Sequence, residues 1–316
     1  MLSRRTYILL VLALPFASCL IFVARDFFYF LQQCPAQGYS TDRFLAYCES
    51  KQYGDYEHGA YYLQTEPRAI ENLKQADVVF LGDSRIQHAF STAATKQFFK
   101  NRKTSKFYLL GFGFSENYSF SLDLIAKLKL SPKVFVVGVD ERYFRQAKSS
   151  VAFFVENQRG ARSNYEAKIM KQVWHQFICS SSSIFSSYCG EFGSTFRARS
   201  NGFWYTEHLQ KSIHQEFDSP IDPDPAVAKS LVIGGREFID HLGHNKNCVI
   251  FVSPPVPNWS SASASEIAQE LGIQFVPGPR RTWISMDGSH LEADSAEVWS
   301  KQMLDDLAPL LSNCGA

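Results

Sequence analysis

The chain is nearly without net charge. Its 316 residues carry 32 lysines and arginines against 31 aspartates and glutamates, a formal charge of +1 at pH 7. Such a balance offers no field for capturing nucleic-acid phosphates, so no nucleic-acid partner is expected. Metal-ligand spacings are also missing. Neither Cys-x-x-Cys nor His-Glu-x-x-His occurs, and neither a metal site nor a cofactor is expected. Cysteine is sparse, with 7 in all. Cys19 falls in an apolar N-terminal segment, leaving an even set beyond it that pairs readily in an oxidising compartment. Neighbours in sequence pair as Cys34 with Cys48, Cys179 with Cys189, and Cys248 with Cys314. The alternative is that several are free buried thiols.

What is present begins with a hydrophobic leader. Arg4 and Arg5 precede an apolar segment from Tyr7 to Val23, followed by Arg25 and Asp26. The aromatics Phe27, Phe28, Tyr29 and Phe30 suit a membrane interface. A cleaved signal peptide would have a shorter apolar core and a small-x-small site, so residues 1–30 read as an uncleaved single-pass anchor. A positive amino end stays in the cytoplasm, which places the remainder outside it, in the periplasm or at the cell surface. Phe16-Ala-Ser-Cys19 faintly resembles a lipoprotein processing site, but apolar residues continue past it. At 35.8 kDa and 45% hydrophobic residues the chain can bury one large core, and its length alone allows two domains. Residues 31–70, rich in Tyr and Gln, read as a stalk packed on a domain spanning 71–316.

Within that domain four apolar runs read as buried parallel strands: Val78 to Leu81, Phe107 to Leu110, Val134 to Val139 and Val249 to Val252. Helical stretches follow several of them, at Ile86 to Lys100 and Tyr118 to Leu130, and Ser295 to Leu311 has near-helical apolar spacing. The expected fold is α/β, a doubly wound parallel sheet, in which ligands bind beyond the carboxyl ends of the strands. Ser84, Gly111 with Gly113, Asp140 and Asn258 all fall just past such ends. From Arg145 to about Asp224 runs an aromatic, polar insertion, too long for a simple crossover. Its aromatics, Trp174, Phe177, Phe185, Tyr188, Phe192, Phe203, Trp204 and Tyr205, either stack against sugar rings over the active edge or form a small satellite core. Asp218-Ser-Pro-Ile-Asp-Pro-Asp-Pro225 reads as the exit linker.

Two short motifs carry chemistry. Gly82-Asp83-Ser84 follows the first strand directly, and Asp287-Gly-Ser-His290 lies near the other end of the chain. A serine hydroxyl needs a neighbouring base to become nucleophilic. His290 is the candidate base, with Asp287 orienting it and stabilising the imidazolium. His88 lies four residues after Ser84 and would share its helix face, but it has no acidic partner at orienting spacing. His175, His208, His214, His241 and His244 read as surface or structural residues. Arg85 is a candidate for binding an anionic or polyhydroxyl substrate, or simply a solvated first-turn residue. Asn258, after the stiff Ser253-Pro-Pro-Val-Pro257, is a candidate oxyanion or substrate donor.

These blocks resemble the SGNH hydrolase superfamily, also called the GDSL family. Leu81-Gly82-Asp83-Ser84 corresponds to its first block and Asp287-Gly-Ser-His290 to its last. The resemblance implies a flavodoxin-like three-layer fold and an oxyanion-holding glycine at Gly111 or Gly113. The family's Gly-x-Asn-Asp block is represented by Gly138-Val139-Asp140-Glu141, with Asp140 where an asparagine donor would stand. An ionised carboxylate beside a forming oxyanion is repulsive, so Asp140 cannot take over that role. The resemblance covers about 77–143 and 247–311, as ordered blocks. Ser84-Arg85 and the missing block look more like the membrane-tethered cell-envelope branch that includes polysaccharide O-acetyltransferases. It implies O-acyl transfer to or from an envelope polysaccharide through an acyl-serine, with an integral-membrane partner as one source of acyl groups. The alternatives are a carboxylesterase or deacetylase acting on an acylated small molecule with water as acceptor, and a non-catalytic carbohydrate-binding or assembly module.

Overall fold

The computed structural model of the chain describes residues 40–48, 54–102, 105–113, 116–157, 159–181, 189, 194–205, 214–220, 222–257 and 259–316, with isolated positions between 21 and 27. In chain order the elements are β1 (Arg43–Cys48), β2 (Gly54–Asp55), α1 (Glu57–Tyr62), α2 (Pro67–Lys74), β3 (Val78–Asp83), α3 (Ser84–Ala89), α4 (Thr92–Asn101), β4 (Phe107–Phe112), α5 (Tyr118–Leu128) and β5 (Val134–Gly138). They continue with α6 (Ser150–Asn157), α7 (Ala161–Ser181), β6 (Ser194–Ala198), β7 (Trp204–Tyr205), β8 (Gln215–Phe217), α8 (Pro225–Leu242), β9 (Val249–Val252), α9 (Ser261–Leu271), β10 (Gln274–Val276), β11 (Trp283–Ser285) and α10 (Ala293–Asn313).

A strand that is apolar at every position must be covered on both faces, and β3, β5 and β9 are buried throughout. They form, with β4 and β10, a five-stranded sheet in the order β10-β9-β5-β3-β4, every neighbouring pair parallel. Alternation along β3 sends Val79 and Leu81 to one core and Val78 and Phe80 to the other. The first core is closed by Leu124 of α5, Phe238 of α8 and Ile267 of α9, the second by Phe99 of α4 and Trp299, Met303 and Leu307 of α10. The fold is therefore α/β, with helices on both faces of a parallel sheet. Counted within this sheet the strand order is 2-1-3-4-5, which reverses between β3 and β5. Ser84 and Asp140 follow β3 and β5, the strands on the two sides of that reversal, the place where ligands bind in open sheets of this order.

The segment expected as a stalk contributes to the body. β1 pairs antiparallel with β6 in a second sheet, β2-β1-β6-β7, and Phe44, Leu45, Tyr56 and Tyr61 lie in the first core. Within the insertion, Phe203 is buried, whereas Trp174 and Phe177 on α7 are 57% and 61% exposed and join neither core. Phe185, Tyr188, Phe192 and His208 lie outside the described residues, as does nearly all of the N-terminal anchor. No described helix is long and apolar enough to cross a membrane. Disulfides join Cys179 to Cys189 and Cys248 to Cys314. Cys48 is also disulfide-bonded, while Cys34, its expected partner, lies outside the described residues. The Cys248–Cys314 bridge ties the entry of β9 to the end of α10 across 66 residues. By loop-closure entropy it contributes roughly 4 kcal/mol.

One buried charge cluster fixes α1 against the sheet. His58 Nδ1 lies 2.8 Å from Asp55 Oδ1 and its Nε2 2.7 Å from Glu116 Oε2, with the rings of Phe112 and Phe120 packed around it. Burial would depress this imidazole, but Asp55 and Glu116 outweigh it and raise it from 6.5 to about 10. A group whose pKa rises on folding stabilises fully below its unfolded value and loses that contribution as pH climbs through the folded one. The melting temperature is accordingly expected to fall between pH 6.5 and about 10 in a way that a His58→Gln protein does not reproduce. Parallel melting curves for the two proteins in matched buffers measure that difference.

Candidate active site

The glycines at the strand ends explain how the serine is presented. A Cβ on Gly82 or Gly138 would fall 2.9 Å from the Ile86 side chain, and one on Gly111 would fall 2.6 Å from both Ile86 and the Asp83 carbonyl. Three glycines on adjacent strands thus make a flat seat for Ile86, so α3 lies close on the sheet edge. Asp83 caps this helix, its Oδ1 accepting from the Arg85 N–H at 2.8 Å. Ser84 is the first helical residue, half-buried, in the turn where backbone N–H groups lack intrahelical acceptors.

The second motif is a tight loop after β11. Ser285 Oγ donates to the His290 carbonyl at 2.9 Å and accepts from Gly288 N–H at 2.8 Å. Gly288 has φ +79°, a left-handed conformation that a side chain would strain. Asp287 Oδ1 accepts from the backbone N–H of Ser289 and His290 at 2.9 and 2.8 Å. Its other oxygen, Oδ2, lies 2.6 Å from His290 Nδ1, and His290 Nε2 lies 2.8 Å from Ser84 Oγ. The loop closes on itself and delivers the imidazole across 206 residues of sequence to the serine. Partial burial pushes Asp287 up, but the hydrogen bond and charge of His290 and the two backbone donors hold it well below the usual carboxylate range. An ionised Asp287 accepts a hydrogen bond from Nδ1–H, which leaves the Nε2 lone pair facing the serine hydroxyl. This arrangement can generate a serine nucleophile.

His88, four residues after Ser84 on the same helix, packs directly on the base. Its ring centroid lies 4.5 Å from that of His290 and 5.7 Å from Trp204. Burial first, and then His290, hold His88 well below the ordinary histidine range, so it stays neutral beside the base. Among the described residues it makes no hydrogen bond to Ser84.

Arg85 does not project toward a substrate. It is 6% exposed, and its guanidinium binds Asp140 Oδ2 at 2.9 Å and Glu141 Oε1 at 2.8 Å. Asp140 Oδ1 accepts from Arg142 N–H at 2.7 Å and Tyr143 N–H at 2.9 Å. Both oxygens of Asp140 are therefore committed to holding the loop after β5. Asp83 lies against this group; burial, and next the Asp140 charge, raise its carboxyl well above the usual range although Arg85 pulls the other way. In Asp140→Asn the NH2 group must face either Arg85 or two backbone N–H groups, donor against donor. The variant is expected to lose about 1–3 kcal/mol of stability and to gain no turnover. Chemical denaturation and an acetyl-ester assay on one preparation check both.

The two glycine candidates separate. Gly111 lies within β4, its carbonyl accepting from Gln87 Nε2 and Arg197 Nη1, each at 3.0 Å. Gly113 lies in the loop beyond, and its N–H donates to Glu57 Oε1 at 3.2 Å. Glu57 Oε2 accepts from Arg197 Nη1 and from Trp204 Nε1, both at 2.8 Å. Sequence reasoning missed Glu57, Gln87 and Arg197. Gln87 was within reach, being three residues from Ser84 on the same helix; Glu57 and Arg197 meet across 140 residues with no local signal. Together they hold Trp204 and the Gly113 loop beside the serine. Asn258 lies outside the described residues.

Compared with known proteins, the chain matches no family model, no curated protein and no solved structure.

Proposed function

We propose that this protein is an extracytoplasmic serine acyltransferase that moves an O-acyl group, in the first instance acetyl, to or from a cell-envelope polysaccharide. The observation that carries the reading is the continuous contact Asp287–His290–Ser84, with 2.6 and 2.8 Å steps, at the edge where strand order reverses. His290 takes the Ser84 proton as Oγ bonds to the acyl carbonyl carbon. The tetrahedral oxyanion then collapses, the bond to the donor oxygen breaks, and His290 returns the proton to that leaving oxygen. In the second half His290 deprotonates an acceptor hydroxyl, whose oxygen bonds to the acyl carbon; the bond to Ser84 Oγ then breaks and His290 returns the proton to Oγ. The backbone N–H of Ser84 and that of Gly113 are the donors this reading assigns to the oxyanion, the latter on leaving Glu57.

Support for the setting comes from two directions. The sequence resembles the membrane-tethered SGNH branch in its Gly-Asp-Ser and Asp-x-x-His blocks, and the flavodoxin-like strand order agrees with that fold. The disulfides suit an oxidising compartment, which the apolar segment Tyr7 to Val23 would reach by anchoring the body outside the cytoplasm. An integral-membrane protein supplying acyl groups is part of this proposal. The experiment is hydrolysis of a small acetyl ester followed with and without an oligosaccharide acceptor. Acetylated oligosaccharide formed at the expense of free acetate supports transfer. Acetate alone at every acceptor concentration assigns an esterase, and no turnover of any ester leaves a carbohydrate-binding module.

A further inference from the structure

A second feature of the same sheet edge is not used by the serine chemistry. Beyond β9 and β10, a cavity of about 350 Å³ lies between the chain leaving those strands and the β8–β11 pair. Its lining includes Ser253, Trp259, Trp283 and Asp218, and on one side the consecutive Arg280 and Arg281. Trp259 and Trp283 are 3% and 2% exposed, with Trp259 Nε1 donating to Ser253 Oγ at 3.0 Å, so the walls are rigid. The two arginines are the opposite, exposed and without an ion pair or side-chain hydrogen bond among the described residues. Arg281 makes one contact of its own: its guanidinium carbon sits 5.4 Å over the Trp283 ring, a cation–π contact.

Register and spacing locate this cavity relative to the serine. The ladder pairs Leu81 with Val137 and Val137 with Phe251, so Ser253 and Pro254 stand level with Asp83 and Ser84 two strands away. At about 4.8 Å per strand, the cavity begins roughly 10 Å from the nucleophile and extends over the next strand. That is a separation a short oligosaccharide spans. Two adjacent guanidinium groups, one of them over an aromatic ring, supply donors of the kind that pair bidentately with a carboxylate or phosphate.

We propose that this cavity is an anion subsite, in which Arg280 and Arg281 hold a carboxylate or phosphate carried on the saccharide, several ångströms along the chain from the hydroxyl at Ser84. The polysaccharide is thereby assigned as an acidic one. Asp218, which the β8–β11 register sets beside Thr282, also lines the cavity, where it accepts from sugar hydroxyls and repels a second anion, which favours spaced over contiguous charge. The link to acyl transfer rests on the function proposed above, whereas the binding does not.

The test uses full-length Ser84→Ala protein, so that no turnover intervenes, and titration calorimetry with three probes: trigalacturonate, its neutral methyl ester, and maltose 1-phosphate. At least one of the two anions is expected to bind at low salt and to weaken tenfold or more in a protein that also carries Arg280→Gln and Arg281→Gln. The methyl ester is expected to bind at least tenfold more weakly than trigalacturonate if the carboxylate is the recognised group; binding of maltose 1-phosphate alone assigns phosphate. Melting temperatures matching the parent show that the exposed substitutions leave the fold intact. Failure of both anions to bind, equal binding of trigalacturonate and its ester, or affinities unchanged by the double substitution overturn the subsite. Binding that persists in a protein found to turn over no ester would instead leave the subsite standing and remove the acyltransferase.

Discussion

Replacing Ser84 or His290 with alanine is expected to lower turnover of an acetyl ester by about a thousandfold or more, with the double variant no worse than either single one. In the proposed mechanism the two side chains act as one unit, the proton passing across the 2.8 Å contact between His290 Nε2 and Ser84 Oγ. Removing either member removes the alkoxide-forming step, after which the other has no partner to act on. Stability is expected to change little. Ser84 and His290 are only half-buried, and the loop that carries the imidazole is closed by Ser285 and by backbone groups rather than by the ring. Asp287→Asn should fall between wild type and these variants, because an amide still caps Ser289 N–H but no longer stabilises the imidazolium. Steady-state kinetics on folded proteins, with circular dichroism beside them, give the comparison. Additive losses in the double variant would mean that the two residues do not share a step.

The largest loss of stability is expected at Arg197. Its guanidinium is fully buried, donating to Glu57 Oε2 at 2.8 Å, the Gly111 carbonyl at 3.0 Å and the Leu109 carbonyl at 2.6 Å. Arg197→Met leaves a buried carboxylate and two strand carbonyls short of donors, a change that costs about 3–5 kcal/mol. Burial already raises the Glu57 carboxyl, with Arg197 opposing that rise, so loss of the arginine shifts Glu57 further toward its neutral form, which relieves part of the cost. Adding Glu57→Gln, which is neutral from the outset, is expected to recover a share of the stability. Because Glu57 also holds Gly113 N–H and Trp204 Nε1, turnover should fall along with stability in the single variant. Urea unfolding of the single and double variants measures both terms. A loss below about 1 kcal/mol for Arg197→Met would show that the pair is not uncompensated when broken.

The parts of the fold that could be read in advance are those with a local signature. β3, β5 and β9 are apolar throughout because both faces are covered, and each continuous run announced its strand. β10 escaped because it has three residues, Gln274 to Val276, at an edge where only one neighbour constrains it. β1 was taken for stalk because its partner β6 lies about 150 residues away and nothing within Arg43 to Cys48 points to it. The same distinction holds at the site. Asp287 and His290 lie three apart, so their contact is written in one turn of chain. The helix breaks at Phe90, between α3 and α4, where one continuous helix was expected; the turn at Ser91 is held by the Ser300 hydroxyl, a contact from the far end of the sequence. His88 was set aside for lacking an acidic neighbour in sequence, yet four residues on a helix return it to the face of Ser84, where it meets His290 through space.

The proposed mechanism depends most on Ser84 being a nucleophile activated by His290, and covalent labelling reads that directly. Full-length protein treated with a fluorophosphonate and digested for mass spectrometry is expected to carry one adduct, on the peptide that contains Ser84. The adduct should be lost in Ser84→Ala and form far more slowly in His290→Ala. Folded wild-type protein that takes up no label, or a label on another residue that survives Ser84→Ala, would contradict the account.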